Sequence, residues 1–180
     1  MSRLYKQVFA AAVGFAALVA FVQSPVAQEA KKEKAGLQKQ DAKMMRDIAQ
    51  SDLAEVQAGK LGASKASSAE VKKFAQHMVD DHRKHLSEAR SMAKTKGVQL
   101  PSAPAKKHQP AMKKLESASG AQFDKVFMQQ MVKDHEEALK LVQNTAKNAK
   151  DPQLKADAEK TAPVIEKHLE EAKRIAASLK

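Results

Sequence analysis

The sequence predicts an all-α protein, an up-down four-helix bundle behind an N-terminal signal peptide. Three observations carry this. From Asp41 to Leu179 the apolar residues recur at steps of three and four, the helix period. Ala, Lys, Glu, Gln, Leu and Met dominate that stretch, and these are the strong helix formers. Four punctuated segments of this kind follow one another, each with a single apolar stripe, which is the pattern of helices that bury one face against each other.

The chain opens with basic Arg3 and Lys6, an apolar run Val8–Val22, and the small-residue exit Ser24-Pro25-Val26-Ala27. That order is a secretory signal over residues 1–27, and the run is short of the roughly 20 residues a membrane span needs. Residues 28–40 read as a polar, flexible leader and 41–179 as the bundle domain. The first helix runs from about Gln40 to Leu61, its stripe Met45, Ile48, Asp52, Glu55, Val56 and Gly59, with Gly59 and Gly62 fraying its end. The second starts at a capping box, Ser67 with Glu70. Its stripe is Val71, Phe74, Ala75, Met78, His82, His85, Ala89 and Ala93, and Gly97 takes the positive φ beyond the last turn.

Residues 97–110 hold three prolines and form a long connection that crosses the bundle end, followed by a helical turn near 111–117. The third helix starts at Ser119 or Gly120, with Ser119 and Gln122 as a second capping-box candidate, and faces inward with Phe123, Phe127, Met131, His135, Ala138, Val142 and Ala146. Asp151-Pro152 is a strong start for the fourth, whose stripe is Leu154, Ala158, Ala162, Ile165, Leu169, Ala172, Ala176 and Leu179. Pro163 inside it predicts a kink or a split near Thr161.

The 180 residues carry a net charge of +11, and the expected mature part, which loses only Arg3 and Lys6, carries +9. Lys interleaved with Glu along exported helices without mature Tyr or Trp argues against nucleic acid. A solubilising face is the leading reading of the charge, with anionic envelope lipids or an envelope protein as the candidate partners. The absence of cysteine excludes disulfides, thiolate metal sites and Cys nucleophiles. No hydrolytic triad, phosphate loop or dinucleotide fingerprint is present, so the residues make no case for an enzyme.

Histidine is scarce, six in all, so its placement is informative. His82 and His135 share the inward phase of their helices, and His168 borders the stripe of the fourth. Glu55 lies inside the stripe of the first. These four form a candidate site for a divalent transition metal (iron, manganese or zinc), with His85, Asp81 and Asp134 assisting. At about 1.5 Å per residue the three histidines fall near mid-length, and Glu55 a turn or two away. The pairs Met78/His82 and Met131/His135 also admit copper. A structural network of core-edge imidazoles is the competing reading. Phe74–His82 (FAQHMVDDH) echoes Phe127–His135 (FMQQMVKDH), by duplication of a hairpin or by one packing solution used twice.

The segments Ala54-Glu55-Val56, Met78-Val79-x-Asp81-His82, Gly97-Val98-x-Leu100-Pro101, Met131-Val132-x-Asp134-His135 and His168-Leu169 together resemble a bacterial family of unknown function, described as outer-membrane or periplasmic with a ferritin-like helical bundle. The resemblance spans about Asp41–Leu179. It implies a ferritin-like fold and a periplasmic or outer-membrane-associated address, with Glu55, Asp81, His82, Asp134, His135 and His168 at the family's polar positions. His77 and His85 depart from that pattern. The Glu-x-x-His of diiron sites is missing, since Val79 precedes His82 and Val132 precedes His135. The leading expectation is therefore a non-enzymatic, stress-related or metal-associated envelope protein. The alternatives are a ferritin-like metal redox or storage bundle, and an interaction module for an envelope component.

Overall fold

The computed structural model describes residues 37–179, so the expected signal and most of the expected leader lie outside the described residues. Five helices form: α1 (Lys39–Lys65), α2 (Ala69–Thr95), the short α3 (Gln109–Ser117), α4 (Gly120–Asn148) and α5 (Pro152–Ser178), with a 3-10 turn at Lys106–His108. No strand occurs among the described residues. None of these helices is long and apolar enough to cross a membrane.

Two buried aspartates set the orientation of the helices. Asp41, at the start of α1, accepts from the amides of Lys150 (3.0 Å) and Asp151 (2.7 Å) in the α4–α5 turn. Asp124, at the start of α4, accepts from the amides of Ser67 (2.9 Å) and Ser68 (2.8 Å) in the α1–α2 turn. Each hairpin thus clasps the turn of the other, and the buried carboxylates satisfy turn amides that would otherwise lack partners. These contacts place the start of α1 beside the end of α4, and the start of α4 beside the start of α2. So α2 and α4 run parallel, and the connection between them travels the length of the helices instead of crossing their end. Its first residues, Val98 and Leu100, pack on one apolar cluster, and Leu115 is buried in the other. Lys65 closes the far end by donating to the Glu116 carbonyl (2.6 Å), a cation at the carbonyl terminus of α3.

The local helix signals are realised unevenly. Asp151 caps α5 through the amides of Gln153 and Leu154, and Gly97 takes φ +66° with Val98 donating back to the Ala93 carbonyl. The cap of α2 is Ser68, not Ser67, whose amide serves the Asp124 clasp. Ser119 makes no side-chain cap. α5 runs through Pro163 without a split. The proline frees the carbonyl of Glu159, and both residues lie on the exposed face, where water can take that bond.

The expected fraying at Gly59 and Gly62 does not occur, because α1 continues to Lys65. Both glycines are buried where helices approach closely. A Cβ at Gly62 would lie 2.6 Å from Phe127 Cζ and 2.7 Å from Ala75 Cβ, and one at Gly59 would lie 2.9 Å from Val79 Cγ2. Gly62→Ala should therefore destabilise by about 1–3 kcal/mol despite alanine's better helix propensity. Denaturant unfolding checks this, and a midpoint at or above wild type would contradict it.

The core is in two parts. One cluster gathers Phe74, Met78, Phe123, Phe127 and Met131, and the other Met45, Ile48, Val142, Leu154 and Ile165. Between them in every long helix lie buried polar residues: Asp52 and Glu55 on α1, His82 on α2, His135 on α4 and His168 on α5. The FxxxMVxDH echo sits on the second helix of one hairpin and the first of the other. A tandem hairpin copy would return it on α5, so one packing solution used twice explains it better.

Candidate metal centre

Three long helices each deliver one imidazole to mid-length. The rings of His82, His135 and His168 have centroids 5.6–5.8 Å apart, and one nitrogen from each lies within 4.8 Å of the others. All three side chains are buried.

Each ring is pinned by one nitrogen. His82 donates from Nδ1 to Asp52 Oδ1 (2.9 Å), His168 from Nε2 to Asp81 Oδ2 (3.0 Å), and His135 from Nδ1 to the Met131 carbonyl (2.8 Å). Each opposite nitrogen, Nε2 of His82 and His135 and Nδ1 of His168, is buried without a partner. Unpaired buried polar atoms are costly and uncommon. Three on neighbouring rings, each ring held through its other N–H by a carboxylate or a carbonyl, match the way metal-bound histidines are oriented. Burial, reinforced by neighbouring His82, holds His135 down to about 3 and His168 down to about 4. Both rings are neutral at pH 7 with a lone pair on the free nitrogen. An ion with bonds of about 2.0–2.1 Å needs nitrogens roughly 3.4 Å apart, inside the 4.8 Å limit that these three rings meet.

The other candidates fall outside the triad. Glu55 is buried with Oε1 3.8 Å from His135 Nδ1, on the pinned side of that ring, and its Oε2 has no partner. Burial, then the nearby Asp134 and Asp52 carboxylates, pushes its pKa well above the ordinary range. Burial and its carboxylate neighbours therefore favour the neutral form of Glu55 over an ion pair with His135. His85 bonds Asp52 Oδ2 (2.9 Å) and faces Asp157 (3.4 Å) and Thr161 (3.3 Å). Burial opposes its charge, but the hydrogen bonds to Asp157 and Asp52 prevail and push it up to about 10. It is a cation with no lone pair to offer.

Asp134 points away into a groove beside His108 and bonds Gln130 (2.9 Å). Asp81 reaches the triad only through His168. Met78 and Met131 are wholly buried in the apolar cluster beside Phe74 and Phe127. Asp52, absent from the expected ligand set, holds both His82 and His85. Burial works against its charge, but hydrogen bonds from the two rings keep its pKa below the usual carboxylate value. Its inward phase in the stripe of the first helix was the available signal.

Fold and site together define an all-helical protein with a buried histidine triad between two apolar clusters. The chain belongs to the family described as Domain of unknown function DUF4142, whose model matches residues 26–175. Solved structures share the fold at low identity. CopM in its Cu(II)-bound form has TM-score 0.67 and 16% identity, covering 78% of this chain and 97% of CopM. The Cu(I)-bound form has TM-score 0.63 and 18% identity, covering 74% and 93%. A Streptomyces coelicolor protein described as secreted, DUF305, has TM-score 0.69 and 16% identity, covering 77% and 91%. No curated protein matches the chain.

Proposed function

We propose that this protein is an exported four-helix bundle with the single long crossover of ferritin-like folds, and that it binds one transition-metal ion through His82 Nε2, His135 Nε2 and His168 Nδ1. The observation that carries the reading is that three buried imidazoles from three helices come within ligand distance of one another, and that each ring, fixed by one nitrogen, leaves its other nitrogen without a partner. Asp52, Asp81 and the Met131 carbonyl orient the ligands. Copper is the preferred ion and zinc the second. An all-imidazole donor set suits both, and copper(II) stands highest in the affinity order of divalent metals. The copper-bound state of CopM, a protein of similar fold, supports that order. Iron or manganese storage would call for carboxylates, and of the two buried beside the triad Asp52 is engaged by His82 and His85 while Glu55 lies on the pinned side of His135. The role that fits is holding an ion in the envelope, not turning over a substrate.

Elemental analysis of untagged protein isolated from its native envelope, with copper and zinc titration of the apo form, tests this. One equivalent of ion is expected, and the copper(II) form should show nitrogen hyperfine coupling in its electron paramagnetic resonance spectrum. Absence of a saturable site for copper, zinc, iron and manganese would leave the triad a structural network.

A further inference from the structure

His168 presents its second nitrogen to a different set of groups. Its Nε2 lies 3.0 Å from Asp81 Oδ2, and the same oxygen lies 3.2 Å from His77 Nε2. Donor atoms of His77, Asp81 and His168 all lie within 4.8 Å of one another. The His77 and His168 rings meet edge to face at 5.3 Å, and Glu171 Oε2 stands 3.8 Å from His77 Nδ1. Side-chain exposure falls from 50% at His77 and 39% at Asp81 to 5% at His168 and 0% at His135. One imidazole therefore separates the buried triad from a solvent-open group of metal-binding type. We propose that His77, Asp81 and His168 form an outer metal site that captures the ion from solution and passes it inward across the His168 ring. This rests on the buried site proposed above.

The ring's two nitrogens make the transfer possible and limit it. A neutral imidazole has one lone pair and one N–H. While the ion sits on Nε2, the proton is on Nδ1. When the ion moves to Nδ1, the proton returns to Nε2 and is donated to Asp81. The two positions exclude each other, so the total remains one ion. The carboxylates of Asp81 and Glu171 stand beside His77 and attract a cation to the outer group.

Rapid-mixing loading of untagged wild-type and His77→Ala protein with copper(II), followed by release to excess chelator, tests the proposal. His77→Ala should still reach one equivalent, but load about tenfold or more slowly. Release should slow by the same factor, since the equilibrium of the buried site is unchanged. His77→Asp, which restores a ligand, should recover most of the rate. Unchanged loading in His77→Ala overturns the outer site and leaves the buried one standing. Loss of the bound equivalent in His77→Ala also overturns it, because His77 would then be a ligand of the final site. If wild type itself takes up no ion, both readings fall.

Discussion

His135→Ala should lower copper affinity by more than about 100-fold, beyond the 10–100-fold that loss of a hydrogen-bond partner to a metal ligand costs. His135 is the most buried of the three rings and sits between the two apolar clusters, so neither water nor another side chain can stand in for its Nε2. His82→Ala and His168→Ala should behave alike. Asp52→Asn should show the smaller, partner-type loss, because it leaves the His82 ring in place with a poorer acceptor. His108→Ala is the control. His108 lies in the groove beside Asp134, apart from the triad, and its loss should leave affinity unchanged. Isothermal titration of apo proteins, with circular dichroism to establish folding, decides the matter. Wild-type affinity in both His135→Ala and His168→Ala would remove the triad as the site.

Glu55→Gln should stabilise the apo protein, and by more as the pH rises. Burial and the neighbouring carboxylates raise the folded-state pKa of Glu55 well above its unfolded value. Above the unfolded value the native state must therefore hold a proton that the unfolded chain has released. Stability falls as pH increases through that interval, by about 1.4 kcal/mol per unit for one proton. Glutamine has nearly the shape of the protonated acid and needs no proton, so the loss disappears. Urea midpoints of wild type and Glu55→Gln should diverge as pH rises above the unfolded-state value of Glu55, until the folded-state value is passed. Parallel midpoints would mean that Glu55 is ionised in the fold. Copper stoichiometry should stay at one, since Glu55 approaches His135 from the pinned edge of the ring.

Other groups shape the profile on either side. His135 and His168, with folded pKa values below their unfolded ones, contribute stability that is present above about pH 6.5 and is lost as pH falls toward about 4 and 3. His85, raised to about 10, contributes stability that is present below about pH 6.5 and is lost as pH climbs toward 10.

Helix phase was legible in the sequence because it depends only on local spacing. Met45, Ile48, Asp52, Glu55, Val56 and Gly59 all face inward as the stripe requires, as do Phe74, Met78 and His82 on α2 and Phe127, Met131 and His135 on α4. Scarcity of histidine and its inward phase singled out the three rings. What spacing cannot carry is how helices are joined across the fold and which atom meets which. The clasps by Asp41 and Asp124 link residues far apart in the chain, so the lengthwise crossover and the parallel run of α2 and α4 had no local signature. Gly59 and Gly62 read as helix breakers because the ring and side chains that fill their space come from other helices. Asp81 lies about 100° from His82 on its own helix, and only the packing of α5 beside it makes it the partner of His168. The choice between Glu55 and Asp52 was of the same kind. Both are inward carboxylates one turn apart, and the imidazoles of α2 fall beside one and leave the other buried with its Oε2 unpartnered and its neutral form favoured.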